Sequence, residues 1–255
     1  MDYVDAAQAR TMTGLRLALT KGVPGPWSES AKSVFHVKGI PFTPVAQYGG
    51  GQNEDLVAWT GHRNAPVAVY NDEPPRSGWL EILMLAERLA PEHSLLPADL
   101  DARVEVIGLS NEICGEGGFG WCRRTFMFPD RSVSDEALGE ALSTMRNAYG
   151  FWGMAPAESA ERCAGIMRHL SARLWSQKLK DRPYLFGEQL TCADIYWASF
   201  SQLVEPLPEE VNPMPPFVRK MYATAPDPVK AAFDPLLRAH RDFIFQTHLV
   251  YPLQY

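Results

Sequence analysis

One short segment in the second half of the chain carries the strongest structural signal: Tyr184-Leu185-Phe186-Gly187-Glu188-Gln189-Leu190-Thr191-Cys192-Ala193-Asp194-Ile195-Tyr196. A turn containing Gly187 precedes Thr191, and Asp194 follows Thr191 by three residues. This spacing is typical of a capping box, in which the hydroxyl caps the first turn of a helix and the carboxylate returns a hydrogen bond. The segment therefore predicts a capped and buried helix.

Residues 1–92 predict a small α/β domain. The elements follow the order β-α-β-(α)-β-α, with room for one more short strand near the Pro74-Pro75 turn. Gly39 is a suitable residue to end the first helix, because glycine adopts the conformation that a helix C-terminus needs. We predict extended segments at 15–19, 40–48 and 65–70, and helices at 28–38, 53–59 and 79–89.

Beyond residue 99 the strand patterns nearly vanish. Helical periodicity replaces them, and one apolar stripe runs along the longest candidate helix. We predict helices at 102–114, 134–149, 157–180, 192–204 and 229–247, with a proline-rich loop before the last one. The chain is therefore expected to form two domains, an α/β domain at 1–92 and an all-α domain at 99–255.

Composition excludes several classes of protein. The net charge is −6, whereas a partner with a phosphate backbone requires clustered Lys and Arg. Charged residues interrupt the N-terminal segment, so it lacks the uninterrupted apolar stretch of a signal peptide, and no run approaches the ~20 apolar residues of a membrane helix. We expect a cytoplasmic protein with neither a nucleic acid nor a membrane as partner.

The cysteines do not predict a metal site. Cys114, Cys122, Cys163 and Cys192 form no Cys-x-x-Cys pair, and no His lies at zinc-finger spacing from them. Single cysteines in apolar stretches are usually small core residues. We expect no disulfide framework and a reducing compartment.

A second segment resembles part of a known family: Gly25-Pro26-Trp27-Ser28-Glu29-Ser30-Ala31-Lys32-Ser33-Val34-Phe35-His36-Val37-Lys38-Gly39-Ile40-Pro41-Phe42. It is similar to the first loop and helix of the glutathione transferases, and the Thr191–Asp194 segment resembles their C-terminal motif. The resemblance implies the glutathione transferase fold, with a thioredoxin-like N-terminal domain and an all-helical C-terminal domain. It also places Gly25 where omega-type members have a catalytic Cys, which excludes mixed-disulfide chemistry at that position.

The resemblance further implies glutathione as cosubstrate. Such enzymes ionise its thiol with a hydroxyl or another donor and with the positive end of the first helix, and the thiolate attacks an electrophile. Ser28, at the predicted start of that helix, is the candidate catalytic donor, with a plain helix cap as the alternative. Trp27 is expected to flank the ligand or to cover the edge of the sheet.

Other parts of glutathione are assigned by the same resemblance. Ala65 and Pro66 occupy the place of the family's cis-proline dipeptide, whose first residue binds the cysteinyl backbone. The γ-glutamyl end is assigned to Arg76 and Ser77 if the preceding turn is shortened, and to Trp79 if the chain is aligned without a gap. Arg76 suits a carboxylate but repels an ammonium, and a solvated surface Arg is the alternative.

A glycine-rich segment at 110–124 is the candidate substrate pocket. Phe119 and Trp121 are its candidate walls, and Arg123 or Arg124 is a candidate for facing an anion. Glycine in a helix costs ~1 kcal/mol relative to alanine, so this many glycines require an explanation. The alternatives are a break that opens a ligand cleft and a loop whose aromatic residues pack on the other domain.

The predicted function is glutathione-dependent transfer. The thiolate is expected to attack a small hydrophobic electrophile, by conjugation or by a related isomerase or lyase reaction, and a homodimer is expected by analogy. The alternative is a protein of the same fold that binds a ligand or acts as a scaffold without turnover, because fold does not fix function.

Overall fold

The chain divides into two compact units. The computed structural model describes residues 1–127, 134–139, 143–144, 146–147 and 154–255. The first unit contains Met1–Ser94 together with Pro208–Pro215 and Leu249–Tyr255, and the second contains Leu95–Leu207 and Pro216–His248. This division differs from the predicted one, because two segments from the C-terminal part pack with the α/β unit. Part of the predicted helix at 134–149 lies outside the described residues.

A three-stranded sheet organises the first unit. Its strands are β1 (Leu15–Thr20), β2 (Thr43–Gln47) and β3 (Val67–Tyr70), in the order β2-β1-β3. β1 pairs in parallel with β2 and antiparallel with β3. Only an isolated bridge between Ala68 and Arg76 forms where a fourth strand had room. The helices of this unit are α1 (Ala6–Arg10), α2 (Pro26–Val37), α3 (Glu54–Thr60) and α4 (Trp79–Leu89).

The α2 helix begins and ends where local sequence dictates. Pro26 occupies the first helical position, where its missing N–H costs nothing, and Gly25 is the N-cap. Gly39 follows the helix with a φ of 66°, a conformation that glycine adopts without strain. The buried side chains of Val34 and Phe35 belong to the core of this unit. The start of α2 is thereby fixed beside the end of β1.

The two C-terminal segments are hydrogen-bonded within the first unit. Leu253 donates its N–H to the carbonyl of Val211 at 2.8 Å. The ammonium of Lys32, on α2, donates to the carbonyl of Gln254 at 2.5 Å and forms an ion pair with Glu29 at 2.6 Å. Burial raises the pKa of Glu29, and the neighbouring Lys32 opposes that rise.

The regular elements in the described part of the second unit are helices. The predicted capping box is confirmed: Asp194 accepts hydrogen bonds from the N–H and hydroxyl of Thr191 at 2.9 and 2.7 Å. It also accepts the N–H of Leu185 at 2.8 Å, so this carboxylate fixes the preceding turn as well. The helices are α5 (Leu100–Cys114), α6 (Phe119–Thr125), α7 (Asp135–Leu138), α8 (Pro156–Lys178), α9 (Cys192–Ser201), α10 (Pro216–Ala223), α11 (Asp227–Ala232) and α12 (Pro235–His248).

Candidate functional site

The candidate catalytic residue Ser28 lies in the first turn of α2, with 3% of its surface exposed. Its hydroxyl oxygen accepts the N–H of Thr20, the last residue of β1, at 3.3 Å. Among the described residues the Ser28 hydroxyl proton has no acceptor. Ser28 therefore does not cap the helix, and its proton remains available for donation. Trp27 lies beside it and is half-buried.

Gly25 leaves a space beside Ser28. A Cβ built on Gly25 would lie 3.9 Å from the hydroxyl oxygen of Thr20 and 4.0 Å from that of Ser28. These are ordinary contact distances, so the position beside Gly25 has room for one carbon-sized atom and is bordered by the two hydroxyls. We refer to it as the Gly25 space.

Thr20 and Gln47 form a polar pair that our sequence reasoning missed. The Thr20 hydroxyl donates to the side-chain oxygen of Gln47 at 3.0 Å. The side-chain nitrogen of Gln47 donates to the carbonyls of Tyr48 and Arg63 at 2.9 and 3.3 Å. The available signal was positional: Thr20 and Gln47 end adjacent parallel strands, and such ends meet at one edge of a sheet.

Ala65 and Pro66 are joined by a cis peptide bond, as the resemblance implied. Among the described residues neither the N–H nor the C=O of Ala65 has a hydrogen-bond partner. Ala18, two residues before the end of β1, pairs with Val67, which follows Ala65 by two residues. The free peptide groups of Ala65 therefore lie beside the strand end that contacts Ser28.

The start of α4 does not match the expected γ-glutamyl site. Trp79 is the first residue of the helix and Gly78 is its N-cap, so Ser77 precedes the helix. The carboxylate of Glu81 accepts the N–H groups of Ser77 and Gly78 at 3.3 and 3.0 Å. Two of the N–H donors at this end, those of Ser77 and Gly78, are thus occupied by a carboxylate of the protein itself.

Arg76 is also engaged by the protein. Its guanidinium donates to Glu73 at 2.7 Å, and Arg88 contacts the same carboxylate at 2.6 Å. Hydrogen bonds lower the pKa of Glu73, and the one from Arg88 contributes more than the one from Arg76. Glu73 consequently remains charged near neutral pH and holds Arg76 at the surface.

Two of the predicted substrate-pocket residues, Phe119 and Arg123, are core residues. Phe119 is fully buried, with its ring 5.6 Å from that of Trp197. Arg123 is also fully buried, and it donates to the carbonyls of Leu203 and Thr224, both at 2.7 Å. Neither side chain has surface left for a ligand, so the prediction that they line a pocket is wrong. Trp121 is half-buried in α6.

The glycines of this segment permit a close turn between α5 and α6. A Cβ on Gly118 would lie 2.6 Å from the carbonyl oxygen of Glu112 and 2.7 Å from that of Asn111. Gly117 has a φ of 75°. A left-handed backbone conformation accounts for Gly117 and close packing of the backbone for Gly118, without a ligand cleft.

The second unit contains an open groove of about 1030 Å³ that none of the predicted residues lines. Leu109, Ile166 and Phe186 contribute apolar surface to it. Charged residues at the groove form ion pairs, Glu112 with Arg162 at 2.8 Å and Glu105 with Arg173 at 2.6 Å. The groove thus combines an apolar surface with charges that are already paired.

The four cysteines are free thiols and are all buried. Burial raises the pKa of Cys114, Cys122 and Cys163, which disfavours their reactive thiolate forms. Within the described part of the chain no cluster of His, Cys, Asp and Glu is arranged to hold a metal ion. The helices described there are also too short or too polar to cross a membrane.

Solved structures with the same fold are glutathione transferases. One from Methylobacterium radiotolerans, in complex with glutathione sulfonate, has a TM-score of 0.59 and 18% identity over 95% of this chain and 98% of that chain. Glutathione transferase Omega 3C from Trametes versicolor has a TM-score of 0.58 and 14% identity over 95% and 84%. A maleyl pyruvate isomerase, described as a bacterial zeta-class glutathione S-transferase, has a TM-score of 0.52 and 19% identity over 88% and 95%.

These similarities define the fold. The chain has the glutathione transferase fold, in which a thioredoxin-like unit accompanies a helical one. No protein-family model matches the chain, and no curated protein sequence does either.

Proposed function

We propose that the protein is a glutathione-dependent transferase that presents the glutathione thiolate to a small hydrophobic electrophile. The observation that carries the proposal is the buried Ser28 hydroxyl, whose proton lacks an acceptor among the described residues and which borders the Gly25 space. A donor at this place, in the first turn of a twelve-residue helix, suits a group that becomes negatively charged.

The chemistry follows from the groups around the Gly25 space. Ser28 donates a hydrogen bond to a sulfur in that space and the N-terminal end of α2 adds a positive potential, and both favour the thiolate over the thiol. The proton leaves to solvent. The thiolate then forms a bond to the electrophilic carbon, from which a leaving group departs with the bonding electron pair in a conjugation reaction.

The peptide groups of Ala65 provide the second part of the proposed site. Their free N–H and C=O suit an extended peptide, because such a ligand can both accept from and donate to one residue of a strand edge. In the proposal Ala65 and Pro66 bind the cysteinyl part of glutathione, and Trp27 flanks it.

Glutathione binding and Ser28 can be tested separately. Glutathione at millimolar concentration is expected to raise the melting temperature, since any ligand of the native state stabilises it. Ser28→Ala is expected to lower kcat/KM with 1-chloro-2,4-dinitrobenzene about 100-fold, by analogy with loss of one catalytic hydrogen-bond donor. Ser30→Ala is the matched control, because Ser30 donates to the Trp27 carbonyl and does not border the Gly25 space. Equal activity of the Ser28 variant and the wild type would refute the catalytic assignment.

A second candidate function is ligand binding without turnover. The observation favouring it is the start of α4, where Glu81 occupies the N–H groups of Ser77 and Gly78 and Glu73 holds Arg76. The groove lined by Leu109 and Ile166 offers an apolar surface for such a ligand. Binding of glutathione with no turnover of any electrophile would favour this function.

We also propose that the protein is a homodimer. The family resemblance motivates this, and α4 exposes two large apolar side chains, Leu80 and Met84. Light scattering is expected to give the mass of two chains, and a monomer at micromolar concentration would contradict the proposal.

A further inference from the structure

The amide of Gln47 has only one orientation that satisfies its neighbours. The carbonyl oxygens of Tyr48 and Arg63 can only accept hydrogen bonds, so the amide nitrogen of Gln47 must face them. The amide oxygen therefore faces Thr20. Gln47 is 3% exposed, and the strand ends around it hold this orientation.

The orientation of Gln47 fixes the polarity of the Thr20 hydroxyl. A hydroxyl has one proton, and that of Thr20 is donated to the Gln47 oxygen at 3.0 Å. On the side that faces the Gly25 space, the Thr20 hydroxyl oxygen can therefore only accept a hydrogen bond. Ser28 has the opposite arrangement, because its oxygen accepts the Thr20 N–H and its proton is available. The Gly25 space is thus bordered by one acceptor and one donor.

We propose that Thr20 accepts a hydrogen bond from the S–H of the bound thiol, and that Gln47 is a positioning residue that keeps the Thr20 hydroxyl in its accepting orientation. This inference rests on the proposed function, in which glutathione binds at the start of α2. Its consequence is specificity for a free thiol over a thioether. A thioether has no proton to donate, so it leaves the Thr20 oxygen without water and without a donor.

This preference favours release of the product. The product of conjugation is a thioether, which Thr20 disfavours relative to the incoming thiol. The same contact makes a second prediction, because a hydrogen bond to the neutral form of an acid raises its pKa. Thr20 is expected to raise the pKa of the bound thiol, whereas Ser28 lowers it.

The test compares the dissociation constants of glutathione and S-methylglutathione by calorimetry. In the wild type S-methylglutathione is expected to bind about ten-fold more weakly, as for one unsatisfied acceptor. In Thr20→Val, which keeps the shape and removes the hydroxyl, the ratio is expected to fall to about one, and in Thr20→Ser it is expected to recover. Gln47→Met should reduce the ratio because the Thr20 hydroxyl is then free to rotate.

A spectroscopic titration separates this role from a structural one. The ultraviolet absorbance of the bound thiolate is expected to appear at lower pH in Thr20→Val and at higher pH in Ser28→Ala than in the wild type. A general loosening of the site would not shift the pH at which the thiolate appears in opposite directions in the two variants. Melting temperatures establish that each variant is folded. If Gln47→Met does not fold, the comparison of Thr20→Val with Thr20→Ser still tests whether Thr20 accepts a hydrogen bond from the thiol.

The outcomes are distinguishable. If the wild type binds glutathione and Thr20→Val leaves both the affinity ratio and the titration unchanged, the role of Thr20 is overturned while the proposed function stands. If the wild type binds neither ligand, the proposed function fails, and this inference fails with it.

Discussion

The Glu81 carboxylate determines what the start of α4 offers to a ligand. It accepts the N–H groups of Gly78, the N-cap, and of Ser77 just before it, both of which lie where an anion at this helix start would bind. The resemblance assigns the γ-glutamyl end of glutathione to this region. A carboxylate of the protein that already occupies these donors competes with the carboxylate of the ligand and repels it.

Removing this carboxylate should therefore improve glutathione binding. Glu81→Ala is expected to strengthen glutathione affinity about three-fold or more, because two N–H donors become available and a like charge is removed. The free energy of unfolding should fall by about 1 kcal/mol, because a cap is lost. Calorimetry and urea unfolding measure the two effects.

A matched control is available in the same unit. Glu54 is an acidic residue in the first turn of α3, and its side chain makes no hydrogen bond or ion pair within the described structure. Glu54→Ala is expected to leave glutathione affinity unchanged. If Glu81→Ala gives the same affinity as Glu54→Ala, the start of α4 takes no part in binding.

At the scale of elements, the connection between α5 and α6 depends on backbone packing. Gly118 lies too close to the carbonyls of Glu112 and Asn111 to accept a side chain. Arg123 further stabilises this region, since its guanidinium donates hydrogen bonds to the carbonyls of Leu203 and Thr224, which follow α9 and α10. Burial lowers the pKa of Arg123 to about 10, and it stays charged at neutral pH.

Two glycine substitutions that involve α5 test this account. Gly118→Ala is expected to destabilise the protein by about 2 kcal/mol, because its Cβ would lie 2.6 Å from a backbone oxygen that cannot move freely. Gly108→Ala is the control: Gly108 lies in the interior of α5 with nothing within 4 Å of the added Cβ, so this change should stabilise by about 1 kcal/mol. Urea unfolding measures both, and equal effects would contradict the close-packing explanation.

At the scale of the whole molecule, the sequence predicted the architecture better than the site. The Thr191–Asp194 box and the Gly39 terminus were predictable because caps depend on a few adjacent residues. The mistaken role of Arg123 shows the limit: a buried Arg that binds carbonyls and an Arg that binds an anion have the same local sequence signal. Its partners lie about 80 to 100 residues away along the chain.

The Thr20–Gln47 pair illustrates the same limit within the site. Each residue is an ordinary polar residue at the end of a strand, and neither belongs to a motif. Their chemistry arises only when the parallel pairing of β1 and β2 brings them together. The division into units was likewise unpredictable, because the hydrogen bonds of Leu253 and Gln254 with the first unit join distant segments.

The central claim, that glutathione binds at the start of α2, is tested most directly by Gly25→Cys. The added Cβ would have only ordinary contacts, and a thiol at a helix N-terminus is readily ionised. That thiolate would attack glutathione disulfide, form a mixed disulfide with the protein and release one glutathione thiolate. His36→Cys, an exposed position in the last turn of α2, is the control, and the buried native cysteines give little background.

Mass spectrometry measures the rate of adduct formation with glutathione disulfide and with hydroxyethyl disulfide, and the ratio of the two rates cancels the intrinsic reactivity of each thiol. This ratio is expected to be at least about ten-fold higher for Gly25→Cys than for His36→Cys. The rate for Gly25→Cys is also expected to saturate with rising glutathione disulfide, as binding before reaction requires. Equal ratios in the two variants, with rates that rise linearly with concentration, would contradict the account.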